Sequence, residues 1–160
     1  MKLEALDGQA YGRLRQVASR LLRGGDEAAP SSLVNEAWIR MQRAPHRYQD
    51  TGHLLAVAAR AMRQILVDRA RRQGAAKRGG AWHQVSLTGL ASQPLGVELL
   101  ALDHALTQLE SLDPRRAEVV VLRFFGGLTA DETASELEVS RSTVEADWRK
   151  ARAFLLTTLA

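Results

Sequence analysis

The chain is 160 residues long with a net charge of +4, and its 46% hydrophobic content suffices for one domain or two small ones with a real core. It has no cysteine, which excludes disulfides and thiolate metal sites, and its four histidines (His46, His53, His83 and His104) lack any paired metal spacing. No apolar run could span a membrane, and the opening stretch MKLEALDGQAYGRLR lacks the apolar region of a signal peptide, so a soluble, cytoplasmic protein is expected.

Leu3 to Arg23 carries Leu3, Leu6, Ala10, Leu14, Val17, Leu21 and Leu22 at helical spacing, with Arg13, Arg15, Arg20 and Arg23 outside. Gly24-Gly25 ends this helix as a glycine cap. After the loop GGDEAAPSS, Pro30 with Ser31 or Ser32 as cap starts a second helix over Leu33 to Arg43, which Ala44-Pro45 stops. His46 to Gly52 is a polar connector. A long helix follows over Leu54 to Arg72, with Leu54, Leu55, Ala58, Met62, Ile65 and Leu66 in one apolar arc. Arg60, Arg63 and Arg71 gather within about 80° on its other side. Only Asp68 offers them an acidic partner on that helix, so they are expected to serve an external anion, most commonly phosphate.

Residues 74–96 turn rich in Gly, Ala and Ser without a sustained period and read as a flexible linker, with a short structured piece around Trp82 to Leu87. From Val97 the helical pattern resumes. Leu99, Leu102, Ala105, Leu106 and Leu109 form one amphipathic helix. Asp113-Pro114 caps and starts the next, whose inner face is Ala117, Val120, Val121 and Phe124 and whose end is Gly126-Gly127. Thr129 and Glu132 then form a Thr-x-x-Glu capping box, Glu138-Val139 makes a turn, and Ser140 caps a last helix with Val144, Trp148, Ala151 and Leu155 on one face. That is a helix-turn-helix pattern, and the opposite face carries Arg141, Ser142, Glu145, Arg149 and Arg152 with Thr143 beside its start. Nothing reads as a strand pair. The expected fold is all-α: two small helical domains, residues 1–73 and 97–160, joined by the 74–96 linker, the second ending in the helix-turn-helix.

The charge is divided unevenly. Residues 54–80 hold seven basic and one acidic residue, whereas residues 101–160 hold seven and ten. The basic footprint thus lies away from the reading helix, which points to two nucleic-acid contacts of different kinds.

Three stretches resemble the bacterial extracytoplasmic-function (ECF) sigma factors of RNA polymerase. LVNEAWIRM resembles the family's core-docking helix. HLLAVAARAMRQILVDRARRQGAAKRGG resembles the helix that reads the −10 element. LDPRRAEVVVLRFFGGLTADETASELEVSRSTVEADWRKARAFL resembles the domain that reads the −35 element. The resemblance implies roles. Leu33, Asn35, Glu36, Trp38, Ile39 and Gln42 would meet the polymerase clamp. Tyr48, Gln49, Asp50, Thr51, Gly52 and His53 would capture an extruded base of the melted strand, a task that suits an aromatic ring beside amides. Arg60, Arg63, Arg71, Arg72, Lys77 and Arg78 would hold that strand's phosphates. Arg115, Arg116 and Arg123 would contact duplex backbone, while Ser140, Arg141, Ser142, Thr143, Glu145, Ala146 and Arg149 would face −35 bases. The implied partners are core RNA polymerase and promoter DNA, both duplex and melted, with no cofactor, no metal and no membrane.

Three departures from the family pattern stand out. Glu138 occupies a turn position usually held by Gly, which predicts mild strain if its φ is positive. Glu145 and Asp147 on the reading helix would repel backbone. The run AAPSS lacks the acidic residues that usually precede the docking helix. That deficit, with Ser31 and Ser32 in place, resembles a subgroup switched by a Ser/Thr protein kinase, so Ser31 (or Ser32) is a candidate phosphorylation site; an anti-sigma protein is the other regulator the resemblance implies. A free-standing helix-turn-helix regulator is the alternative, although it leaves residues 33–80 without a task. No nucleophile–base pair or phosphate-cradling glycine loop points to an enzyme.

Overall fold

The computed structural model describes residues 8–22, 29–43, 48–76, 84–86 and 96–159. Its helices are α1 (Gly8–Leu21), α2 (Ala29–Arg43), α3 (Thr51–Ala76), α4 (Leu99–Leu112), α5 (Pro114–Val120), α6 (Ala130–Leu137) and α7 (Arg141–Leu159). Leu3, Leu6, the Gly24-Gly25 cap, Pro45, Lys77, Arg78 and Trp82 lie outside the described residues.

One feature departs from the all-helical expectation: β1 (Gln84–Ser86) and β2 (Gly96–Glu98) pair antiparallel, Val85 opposite Val97. With three residues per strand there is no alternation long enough to register as a period of two. The start of α2 also differs. The helix begins at Ala29, with Pro30 buried in its first turn, so Ser31 and Ser32 are helical residues and not caps. Proline is tolerated there because first-turn N–H groups have no partner inside the helix.

The other caps follow the sequence closely. Asp113 accepts from the Arg116 amide at 3.2 Å, and Ser140 Oγ from the Thr143 amide at 3.1 Å. Thr129 and Glu132 complete their reciprocal box at 3.1 and 2.9 Å. A further cap lies at Asp50, whose Oδ1 accepts from the His53 amide at 2.8 Å, so α3 starts at Thr51 and takes Thr51 and Gly52 out of the connector. Beyond α5 the chain continues as a π-helical turn, Val121–Phe125, before Gly127 leaves with φ of 68°.

The apolar stripes do not form two separate cores. Leu14 and Val17 of α1, Leu33 of α2, Leu55 and Met62 of α3, Leu102 of α4, Phe124 and Phe125 of the π turn and Leu155 of α7 belong to one continuous buried cluster. A smaller cluster of Val119, Ala130, Ala134 and Val144 sits under the α6–α7 turn. The seam between the halves is tight. A Cβ on Gly126 would lie 2.7 Å from the Ala59 Cβ and 2.9 Å from the Leu55 carbonyl oxygen.

Candidate nucleic-acid interface

Helices α6 and α7 are joined by residues 138–140. The turn is made by Glu138 at φ 57°, ψ 44°, the left-handed region in which a side chain is disfavoured. The Val139 amide reaches back to the Ala134 carbonyl at 3.0 Å and closes the end of α6. Val144, Ala151 and Leu155 are fully buried, which fixes the roll of α7 and turns Arg141, Ser142 and Arg149 outward. Thr143, Glu145 and Ala146 are half-buried, and Ser140 is exposed with its hydroxyl 3.1 Å from Ser142 Oγ and 2.9 Å from Thr143 Oγ1.

The arginines expected at the duplex backbone are already engaged. Arg115 Nε lies 2.7 Å from Asp147 Oδ2, and Arg116 Nε lies 3.2 Å from Asp113 and 3.6 Å from Asp147. Asp147 is only 3% exposed, so the expectation that it repels DNA from the surface of α7 is corrected: it is an internal counter-ion. The signal was present in the sequence, since position 147 is three residues after Val144 and falls within the apolar stripe. Arg123 lies over the Trp148 ring, 4.6 Å from its centroid, and burial lowers its pKa. Arg141 pairs with Asp131 and Glu145, both at 3.1 Å, while Arg149 is exposed with no ion pair among the described residues.

In the first half, Tyr48 is 1% exposed and packs beside His53, with ring centroids 5.7 Å apart. Its expected role as an accessible stacking platform is therefore corrected: the apolar ring was worth more inside the core. Gln49 and Asp50 are exposed, and Thr51 and His53 half-exposed. The stripe on α3 also differs from expectation. Arg60 Nη2 meets Glu118 Oε1 at 2.6 Å and Arg63 Nη2 meets Asp103 Oδ1 at 2.8 Å, so both have acidic partners, supplied by the other half. Arg13 and Arg20, expected on an outer face, also cross the seam. Arg13 takes Glu132 at 2.6 and 2.9 Å, and Arg20 donates to the Phe124 carbonyl. Arg71 and Arg72 are exposed and unpaired among the described residues.

On α2, Asn35, Ile39 and Gln42 are exposed, Ile39 by 52%, with Glu36 and Trp38 half-exposed beside them. Leu33 is fully buried, so it supports that face from beneath instead of presenting itself. Tyr11, which the sequence did not single out, joins the face: its ring meets Trp38 edge-on at 6.3 Å and its hydroxyl lies 3.3 Å from Asn35 Oδ1.

Among the described residues no cluster of His or acidic side chains could hold a metal, and no helix is long and apolar enough to cross a membrane. Residues 2–160 match the family described as ECF sigma factor. No curated protein and no solved structure matches the chain.

Proposed function

The chain belongs to the ECF sigma factors, and from that premise we infer the residue-level division of labour by which it directs RNA polymerase to promoters. The family assignment implies binding to core polymerase and to promoter DNA in transcription initiation. Within it, residues 97–160 serve as the −35 reader and residues 1–73 as the −10 and clamp-binding unit. Arg141, Ser142 and Arg149 read base edges in the major groove from the exposed face of α7. Asn35, Ile39 and Gln42 dock on the polymerase clamp, with Glu36 and Trp38 at the margin. Asp50, Thr51 and Gly52 take an extruded base, and Arg60, Arg63, Arg71 and Arg72 hold the strand's phosphates. The protein catalyses nothing by itself; it works in the cytoplasm as a specificity subunit.

The observation that carries this reading is a family match spanning residues 2–160; Arg149, Arg71 and Arg72, exposed and without an ion pair among the described residues, support it on the two helices that the reading gives to DNA. Run-off transcription with core polymerase on genomic DNA, read as transcript starts, tests it. Starts sharing an upstream and a −10-like sequence are expected; a start pattern identical to that of core enzyme alone would overturn it.

Ser31 is the proposed point of control. Arg15 Nε donates to Ser31 Oγ at 3.1 Å, so a phosphoryl group added there would find a guanidinium beside it and helix N–H groups below it. It would supply the negative charge that Ala29–Ser32 lacks. Core affinity measured for wild type, Ser31→Ala, Ser31→Glu and kinase-treated protein should rise with charge. Equal affinities across the four would remove this switch.

A further inference from the structure

A cleft of about 470 Å³ is lined by three arginines and, among the described residues, by no carboxylate. Its volume falls in the range of small-molecule sites. Arg13, Gln16 and Arg20 come to it from α1, Arg123 and Phe124 from the π turn, and Trp148 from α7. The three cations are unevenly satisfied. Arg13 is neutralised by Glu132. Arg20 gives one N–H to the Phe124 carbonyl and lies over the Phe124 ring, 4.9 Å from its centroid. The Arg123 guanidinium makes no hydrogen bond or ion pair among the described residues; it lies over Trp148, and the pull of Glu145 on it is opposed by Arg141. Burial lowers the pKa of both Arg20 and Arg123. Partial loss of water disfavours a cation, and a bound anion would offset that cost.

Packing accounts for part of this arrangement. Arg13 and Arg20 satisfy the carbonyls of Gly127 and Phe124 where the π turn ends, and Arg123 covers Trp148. Those contacts use few of the available donors. A guanidinium carries five N–H groups in a planar fork, and an aromatic ring engages its face and leaves its edge. The fork matches phosphate oxygens, and aromatic side chains suit a planar organic body. We propose that this cleft binds a nucleoside di- or triphosphate, its phosphates on Arg20 and Arg123 and its base on the Phe124–Trp148 side. A free nucleotide can reach the arginines of α1 and of the π turn together. A duplex on the outer face of α7 cannot, because Trp148 belongs to the inner stripe of that helix. Arg141, Ser142 and Arg149, the residues given to base reading, do not line the cleft. The site therefore stands apart from the promoter reading, and its failure would leave that reading untouched.

The test uses the full-length chain without polymerase or promoter. Methylanthraniloyl-labelled GDP and ADP are the probes, read by fluorescence anisotropy, and unlabelled nucleotide, guanosine, pyrophosphate and a short DNA duplex are the competitors. Saturable binding of at least one probe is expected. The unlabelled diphosphate should compete better than guanosine or pyrophosphate, since each of these supplies only part of the contacts. Arg123→Gln and Gln16→Glu should each weaken binding about tenfold or more. Gln16 is exposed, so Gln16→Glu sets a repelling carboxylate in the cleft without removing a core contact, and it stands even if Arg123→Gln disturbs the packing of Trp148. Lys150→Gln with Arg152→Gln removes two charges from exposed positions of α7 outside the cleft and should leave affinity near wild type. No saturable binding at about 1 mM nucleotide, an equal loss in the control pair, or displacement by duplex as readily as by nucleotide at equal phosphate concentration would overturn the site. Pyrophosphate competing as well as the diphosphate would overturn the nucleotide assignment, because the base would then contribute nothing.

Discussion

The Glu132 carboxylate is shared between two tasks. One oxygen accepts from the Thr129 amide to close the capping box, and both take the Arg13 guanidinium from the far side of the seam. Arg13 lowers its pKa from 4.5 to about 2. A depressed carboxylate stabilises the fold fully above its unfolded pKa and loses that contribution as pH falls toward the folded value. Wild type should therefore lose urea stability more steeply than Glu132→Gln between about pH 5 and pH 3; parallel pH profiles would show that the pair contributes nothing. Asp147 is the second residue with a hidden load. Asp147→Ala should cost about 1–3 kcal/mol in unfolding free energy, because it removes a buried carboxylate that accepts two hydrogen bonds from Arg115 and lies 3.6 Å from Arg116. A loss within experimental error would mean that this ion pair contributes nothing to stability. The strain at Glu138 was legible from the turn pattern alone, because that position normally asks for glycine. Glu138→Gly should raise the unfolding midpoint, by under about 1 kcal/mol once glycine's extra chain entropy is subtracted from the relief. A lowered midpoint would mean the left-handed turn carries no strain.

Several helix starts were readable from a polar cap at the head of an apolar stripe, as at Asp113-Pro114, Thr129 and Ser140, because the cap chemistry is local. The α2 start was missed because Pro30 can sit inside a first turn as well as before it. The strands were missed because three residues carry no period. Faces were legible too, but not what each face meets: the arginine stripe on α3 was found, and its carboxylate partners could not be, since they are forty and fifty-eight positions away in the chain. Arg71 of that stripe and its neighbour Arg72, unpaired among the described residues, give a cleaner measurement than the paired Arg60 and Arg63. Arg71→Gln with Arg72→Gln should flatten the salt dependence of strand binding in the holoenzyme by about 1.4 in log–log slope, two contacts at roughly 0.7 each. On α7, Arg149→Ala should instead cost about 1–3 kcal/mol for the preferred upstream sequence and relax preference there. If the two changes gave the same profile across promoters and salts, the division between strand holding and base reading would be wrong.

At the scale of the molecule, the sequence showed the charge asymmetry between its halves but not its destination. Read alone, the basic middle and the acidic end suggest two separate contacts; folded, they attract one another. The continuous cluster from Leu14 to Leu155 predicts that the free chain unfolds in one step, with helical signal and tryptophan fluorescence changing together. Two separated transitions would mean the halves are independent after all.

The π turn has a consequence for chain length. Upstream of it Val119 packs beneath the α6–α7 turn, and within it Phe124 and Phe125 fill the main core. Ala117 and Val120 of α5 already reach the main core, and the wider turn sets the phase at which Phe124 and Phe125 join it. Losing a single residue there would swing one side about 100° against the other, and either Val119 or Gly126 would point away from its neighbours. Exchanging side chains in Val121–Phe125 is therefore a question of volume, while changing their number is a question of aim. Deleting the half-exposed Arg123 should damage the fold far more than Arg123→Ala, and insertions and deletions should be tolerated poorly here even where substitutions pass.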